Sequence, residues 1–160
     1  MSLVIIEVDS AAALAGDLFH AAFAQPIPDF PRHFVALHRD RSAALTLAAY
    51  IHYTAWADHA WLCGGLCVDR DAYARAGPDE AAEWKRAGGI GEIVLRTTFE
   101  RLTDRTAIFG YCGDERQWRH DLNAGFVPAG PQHLLVKWNR ALAEADAGKL
   151  VGAAAALGPF

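Results

Sequence analysis

The sequence predicts a mixed α/β domain, α+β in arrangement. Its N-terminal strands run antiparallel, its central pair is parallel and splayed, and helices cover both faces of the sheet. Three observations carry this reading. Strand-length runs at 33–38, 43–56 and 61–68 follow one another across short polar turns, the pattern of an antiparallel meander. The glycine-rich stretch Lys85-Arg86-Ala87-Gly88-Gly89-Ile90-Gly91 then passes without a break into a helical pattern. After that helix comes the apolar run Thr106–Cys112, and a strand that follows a crossover helix lies parallel to its neighbour and buried.

In chain order, Leu3–Val8 is a short β-rich run, and Ser10 is placed to cap a helix that reaches Ala24 with Leu14, Leu18 and Ala22 on its apolar face. Pro26, Pro28 and Pro31 then forbid regular structure, so this stretch is a loop, either a connector or a binding segment. His33–His38 is a strand, and residues 39–42 make a polar turn. In Ala43–Trp56 the alternation puts Leu45, Leu47, Ala49, Ile51, Tyr53 and Ala55 on one face. Thr46, Ala48, Tyr50, His52, Thr54 and Trp56 take the other. A turn at 57–59 leads into the strand Trp61–Val68. Its Gly64-Gly65 pair marks a bulge or a place where a ligand approaches the backbone.

Residues 69–85 contain a short helix that opens at Pro78 and runs to Trp84. In the helix after the glycines, Glu92, Arg96 and Glu100 recur every four residues as one charged face, and Val94, Leu95, Thr98 and Leu102 fall opposite. Asp114 and Gln117 form a capping-box pattern for a helix that buries Trp118 and Leu122 and ends at Gly125. Residues 127–130 are a connection, His133–Trp138 is the last strand, and Asn139 caps an Ala-rich helical tail, weakened near Gly148, over 139–160.

Composition narrows the function. The 160 residues make one domain, and 52% hydrophobic against 21% charged residues excludes a disordered chain. A net charge of −4 argues against a general nucleic-acid or membrane-surface binder, which needs a basic field. Without a basic leader or a membrane-length apolar run, the chain reads as soluble and cytoplasmic. Cys63, Cys67 and Cys112 are expected as reduced, buried thiols. No His/Cys/Asp/Glu cluster has metal-binding spacing, and no Gly-x-Ser-x-Gly elbow is present.

A glycine-rich loop at a helix N-terminus presents unpaired N–H groups and the positive end of the helix dipole, a seat for phosphate or simply a tight turn. No Gly-Lys-Ser/Thr and no Gly-x-Gly-x-x-Gly are found here. Arg86-Ala87-Gly88-Gly89-Ile90-Gly91 instead fits Arg/Gln-x-x-Gly-x-Gly/Ala and resembles the acyl-CoA pyrophosphate loop of the GNAT superfamily of N-acyltransferases. The element order from Leu3 to Trp138, the Gly64-Gly65 pair and Gly125-Phe126 support the resemblance. It implies acetyl-CoA or another acyl-CoA as donor and a small-molecule or amino-acid-like amine as acceptor. The pyrophosphate would lie on Arg86 and the N–H groups of Gly88 to Glu92, with Ala87 and Ile90 in the same loop. The thioester would lie against the strand N–H groups near Leu66, Cys67 and Val68.

The sequence departs from the family in three places. An insertion at about 69–85 separates the strand from the loop, one N-terminal helix is missing, and Asp121 stands where the family often has its tyrosine acid. As an ionised carboxylate Asp121 cannot donate a proton, so it is expected to act as a base or to anchor the acceptor's ammonium group. Tyr111 is the candidate substitute acid, with the role of a core-edge residue also open to it. Asp69 and His52 are the further base candidates, with a hydrogen-bonded structural role the weightier reading of His52. His120, beside Asp121, reads as a base or as solvated polarity. A homodimer is expected from the long strand 43–56 and the apolar tail. A non-catalytic CoA-binding or assembly module of the same fold remains the alternative to an enzyme.

Overall fold

The computed structural model describes residues 3–40, 42–57, 59–130 and 133–160; Arg41 and Asp58, each in a predicted turn, lie outside them. Seven strands form one sheet in the order β1-β2-β3-β4-β5-β7-β6. These are β1 (Leu3–Val8), β2 (Arg32–Arg39), β3 (Leu45–Trp56), β4 (Ala60–Val68), β5 (Ala107–Tyr111), β6 (Val127–Pro128) and β7 (Leu134–Trp138). Only β4 and β5 pair in parallel, because only they are joined by a crossover helix, α4 (Ile90–Arg101).

Alternation along the strands builds a core on each face. Phe34, Ala36, Ile51, Tyr53, Ile108 and Leu135 pack under α4, which buries Ile90, Ile93, Val94, Leu95 and Phe99 there. The hydroxyls of Tyr53 and Thr98 close a 2.6 Å hydrogen bond across that interface. On the opposite face α1 (Ala12–Phe23) lays Ala15 and Phe19 against Val35, Tyr50 and Cys67. The last helix, α6 (Glu144–Leu157), covers Ala107, Phe109 and Leu134.

Several expectations are revised. In β3, Leu37↔Leu47 and Ala36↔Ala49 leave Ala48 as an extra residue, and this bulge turns Leu47 to the α1 face, away from Ala49, Ile51 and Tyr53. The strand begins at Leu45, because Ala43 has a left-handed φ of 66°. The N-cap of α1 is Ala11, without a side-chain bond, rather than Ser10. Asn139 caps no helix; its amide donates to Leu102 O and Arg105 O, and α6 starts at Glu144 and runs unbroken past Gly148. Strand β3 lies between β2 and β4, so it is not the exposed apolar surface from which a dimer was inferred. Among the described residues no helix is long and apolar enough to cross a membrane.

The insertion is part of the core. Its two helices, α2 (Ala72–Arg75) and α3 (Pro78–Arg86), place Ala72, Ala76 and Trp84 in the cluster under α4. Trp84 is fully buried, and His38 meets it edge-on at 5.0 Å while its Nε2 lies 2.9 Å from Glu80 Oε2. Trp84→Ala should therefore cost about 3–5 kcal/mol in urea unfolding. A cost within about 0.5 kcal/mol, as for an exposed site, would mean the insertion hangs free of the core.

Candidate active site

Strands β4 and β5 stay in register from Ala60↔Ala107 to Cys63↔Gly110 and then part. The cause is in β4. Between His52↔Gly64 and Tyr50↔Cys67, two residues of β4, Gly65 and Leu66, stand opposite one residue of β3. Gly65 takes a φ of 63°, as a bulge of this kind needs. The extra residue turns Cys67 under α1 and sends Leu66 and Val68 to the α4 side. Beyond the last paired residues a cleft of about 220 Å³ opens, with Gly64, Gly65 and Leu66 on one wall and Gly110 and Tyr111 on the other.

Helix α5 (Glu115–Ala124) closes one side of the cleft. Asp114 Oδ1 caps it by accepting from the N–H groups of Arg116 and Gln117, and Gly125, at φ 119°, ends it. The predicted capping box is only half made, since Gln117 Nε2 donates to Asp121 Oδ1 at 2.7 Å instead of reaching back. Asp121 is 6% exposed and lines the cleft. Burial raises its pKa above the ordinary carboxyl value, against the hydrogen bonds from Gln117 and the Cys112 thiol, which lower it. Burial pushes the Cys112 thiol up to about 12 and the Cys63 thiol well above its ordinary range, so neither is a thiolate nucleophile at neutral pH.

The glycine loop meets the end of β4, where a Cβ on Gly91 would touch the Val68 and Leu66 side chains. Gly88 N–H donates to Lys85 O, Gly89 N–H to Trp84 O and Ile90 N–H to the Tyr73 hydroxyl, so these three are engaged within the chain. The first helical bond of α4 is Ile93 N–H to Gly89 O, which leaves the N–H groups of Gly91 and Glu92 without a backbone partner. Arg86 is exposed at the end of α3. Glu92 is not part of a solvated charged face. It is 3% exposed, folds back over Gly88, and pairs with Arg96, with His120 Nδ1 at 3.5 Å.

On the α1 side of the same bulge sits a second pocket of about 210 Å³, lined by Phe19, Phe23, Pro26, Pro28 and His52. The two pockets share Gly64 and Gly65. His52 packs directly beneath the pair: a Cβ on Gly64 would lie 2.8 Å from its Nε2, and one on Gly65 2.6 Å from its Cε1. Burial lowers the His52 pKa to about 4, leaving the ring neutral near pH 7.

The structure thus brings Asp121, Tyr111 and Leu66 to one cleft and His52 to its far side. Tyr111 is half-buried against His133 and Phe160. Asp69 is remote in role: its Oδ2 accepts from Arg75 at 2.6 Å and its Oδ1 from Asp71 N–H, which fixes the start of the insertion. Gln117 was overlooked as a site residue, although its i,i+4 spacing from Asp121 was readable.

The fold has counterparts among solved structures. It is similar to an IAA acetyltransferase from Bacillus cereus (TM-score 0.59, 14% identity, 79% of this chain and 77% of that one). It also matches a GNAT-family acetyltransferase from Staphylococcus aureus (TM-score 0.55, 12% identity, 86% and 99%). A third match is an acetyltransferase from Streptococcus agalactiae (TM-score 0.54, 13% identity, 86% and 99%). The chain has the GNAT fold. No protein-family model and no curated protein matches the sequence significantly. The GNAT fold here keeps its mixed sheet with one parallel pair, and the insertion supplies two helices ahead of the loop.

The buried imidazoles predict an acid-sensitive fold. His52 titrates at about 4 in the folded state against the ordinary 6.5, and burial lowers His33 as well. The unfolded chain therefore binds protons that the folded chain refuses, so this contribution is complete above pH 6.5 and shrinks as the pH falls toward about 4. Urea unfolding across that window should show the decline, and His52→Gln should flatten it. Equal slopes in the two proteins would mean that another group is responsible.

Proposed function

We propose that this chain is an acyl-CoA-dependent N-acyltransferase acting on a small-molecule amine. The observation that carries the reading is the parting of β4 and β5 after Cys63↔Gly110, which opens a cleft between a bulged strand and a buried carboxyl group. An acyl-pantetheine arm is slender enough to enter such a gap. Its thioester carbonyl would meet the backbone at the bulge, where oriented N–H groups stabilise developing negative charge. The N–H groups of Gly91 and Glu92 and the positive end of α4 are the available seat for phosphate oxygens. Bound acyl-CoA supplies an activated carbonyl and a thiolate leaving group; the chain supplies position and protons.

Asp121 then takes a different part from the one expected of an ionised residue. Burial raises the Asp121 pKa toward the protonated form that can donate, so Asp121 is proposed as the acid that protonates the departing sulfur, oriented by Gln117. The amine approaches from the pocket of Phe19, Phe23, Pro26 and Pro28, which suits an acceptor with an apolar or aromatic body. One observation favours a non-catalytic module instead: the Glu92 carboxylate folds over Gly88, where it would repel a pyrophosphate.

A thermal or urea shift with acetyl-CoA tests donor binding, and turnover of an amine then separates an enzyme from a binding module. At a hundredfold excess over Kd the ligand should stabilise the protein by about 2.7 kcal/mol. No shift at millimolar acetyl-CoA would end the acyl-CoA reading. With a responsive amine in hand, Asp121→Asn should leave the shift in place and lower kcat by about 10²-fold. Unchanged turnover would remove Asp121 from the mechanism.

A further inference from the structure

The acceptor side of the bulge holds a chain of three polar side chains that the reading above leaves unused. His33 of β2 is buried, and its Nδ1 lies 2.8 Å from the Tyr50 hydroxyl. The same hydroxyl lies 3.3 Å from His52 Nδ1. The rings are held in place: Phe19 of α1 meets Tyr50 edge-on at 5.6 Å and His52 at 5.8 Å. His52 uses Nδ1 inside this chain, so its other nitrogen, Nε2, is turned toward Gly64, where the two pockets meet.

We propose that His33, Tyr50 and His52 form a proton relay in which His52 Nε2 takes the proton of the acceptor's ammonium group and Tyr50 passes the charge on to His33. The proposal rests on the acyltransferase reading. A tyrosine hydroxyl has one proton to give, so it donates to one imidazole and accepts from the other. The shorter contact assigns the donation to His33 Nδ1, and His52 Nδ1–H then donates to the Tyr50 oxygen. This tautomer leaves a lone pair on His52 Nε2, facing the junction. When Nε2 takes a proton from the amine, Nδ1–H moves to the Tyr50 oxygen and the Tyr50 proton moves to His33 Nδ1. The amine keeps the electron pair it needs to attack, no co-reactant is required, and the positive charge ends on His33.

Titratable groups face the relay from two elements: Cys67 of β4 lies against Tyr50, and Asp29 of the proline loop lies toward His33. Burial disfavours charge on His33, and Asp29 offsets part of that cost. Tyr50 is itself held far from ionisation by burial, so it relays a proton without becoming a stable phenolate. The relay explains why the strand carries two glycines at this point, since any side chain would push the His52 ring off its line.

The test is made first on the ligand-free protein by ¹⁵N NMR of its histidines. His52 should show an unprotonated Nε2 and a protonated Nδ1 near neutral pH, and Tyr50→Phe should abolish that preference while keeping the ring that packs on Phe19. A native His52 with its proton on Nε2, or a tautomer unmoved by Tyr50→Phe, overturns the relay. Should Tyr50→Phe fail to fold, His33→Gln carries the same expectation. In the transfer assay Tyr50→Phe should lower kcat by about 10²-fold, with the donor's KM unchanged. A full rate in this variant also overturns the proposal. If the native protein transfers nothing to any amine while the NMR signature holds, the acyltransferase reading falls and the relay geometry stands.

Discussion

Everything at this site depends on one surplus residue in β4. The bulge at Gly65-Leu66 ends the pairing with β5, reverses the face of every side chain after it, and makes room for His52 below. A residue other than glycine is blocked at Gly65 twice over. The left-handed φ penalises any Cβ, and a Cβ there would stand 2.5 Å from Phe19 Cε2. Packing of α1 and opening of the cleft are therefore one structural decision. Phe19 and His52 fill the side of the sheet that the glycines vacate, and the cleft takes the other.

Burial shifts the titratable groups of the site toward their uncharged forms. Asp121 is pushed up, His33 and His52 are pushed down, and Tyr50 is kept protonated. Each of them meets the desolvation cost of a buried ion only when it takes on charge. They divide by side: the carboxyl lies toward α5 and the imidazoles toward α1, with the bulged backbone between them. An acid on one side and a base on the other is the division that amine acylation asks for, since one proton must leave the nucleophile and another must reach the leaving group.

The sequence was most legible where periodicity and turn chemistry agree. The meander, the crossover helix, the Asp114 cap, the Gly125 stop and the Gly64-Gly65 bulge are all local patterns, and each stands where it was expected. What failed was whatever depends on a neighbour far along the chain. Ala48 bulges in response to β2, so the face of Leu47 could not be read from β3 alone. The four-residue spacing of Glu92 with Arg96 and Glu100 predicts one charged face, but Glu92 is buried, with Gly88 beneath it and His120 of α5 beside it. The depth of Trp84 and the direction of the Asp121 shift depend on burial, which a single sequence does not display.

The loop ahead of α4 carries the remaining tension. A helix N-terminus must satisfy its first N–H groups, and here the chain does much of this itself. Tyr73 of the insertion takes the N–H of Ile90, and the Glu92 carboxylate lies against the turn where the dipole favours an anion. A phosphate would seek the same electrostatic position, so ligand and carboxylate cannot both hold it. Glu92 is also the first member of a chain of charges, with Arg96 one turn on and His120 across on α5. Those two neighbours already hold the carboxylate where it lies over Gly88. The insertion thus does more than fill the core: through Tyr73 it fixes how many backbone donors remain for a ligand.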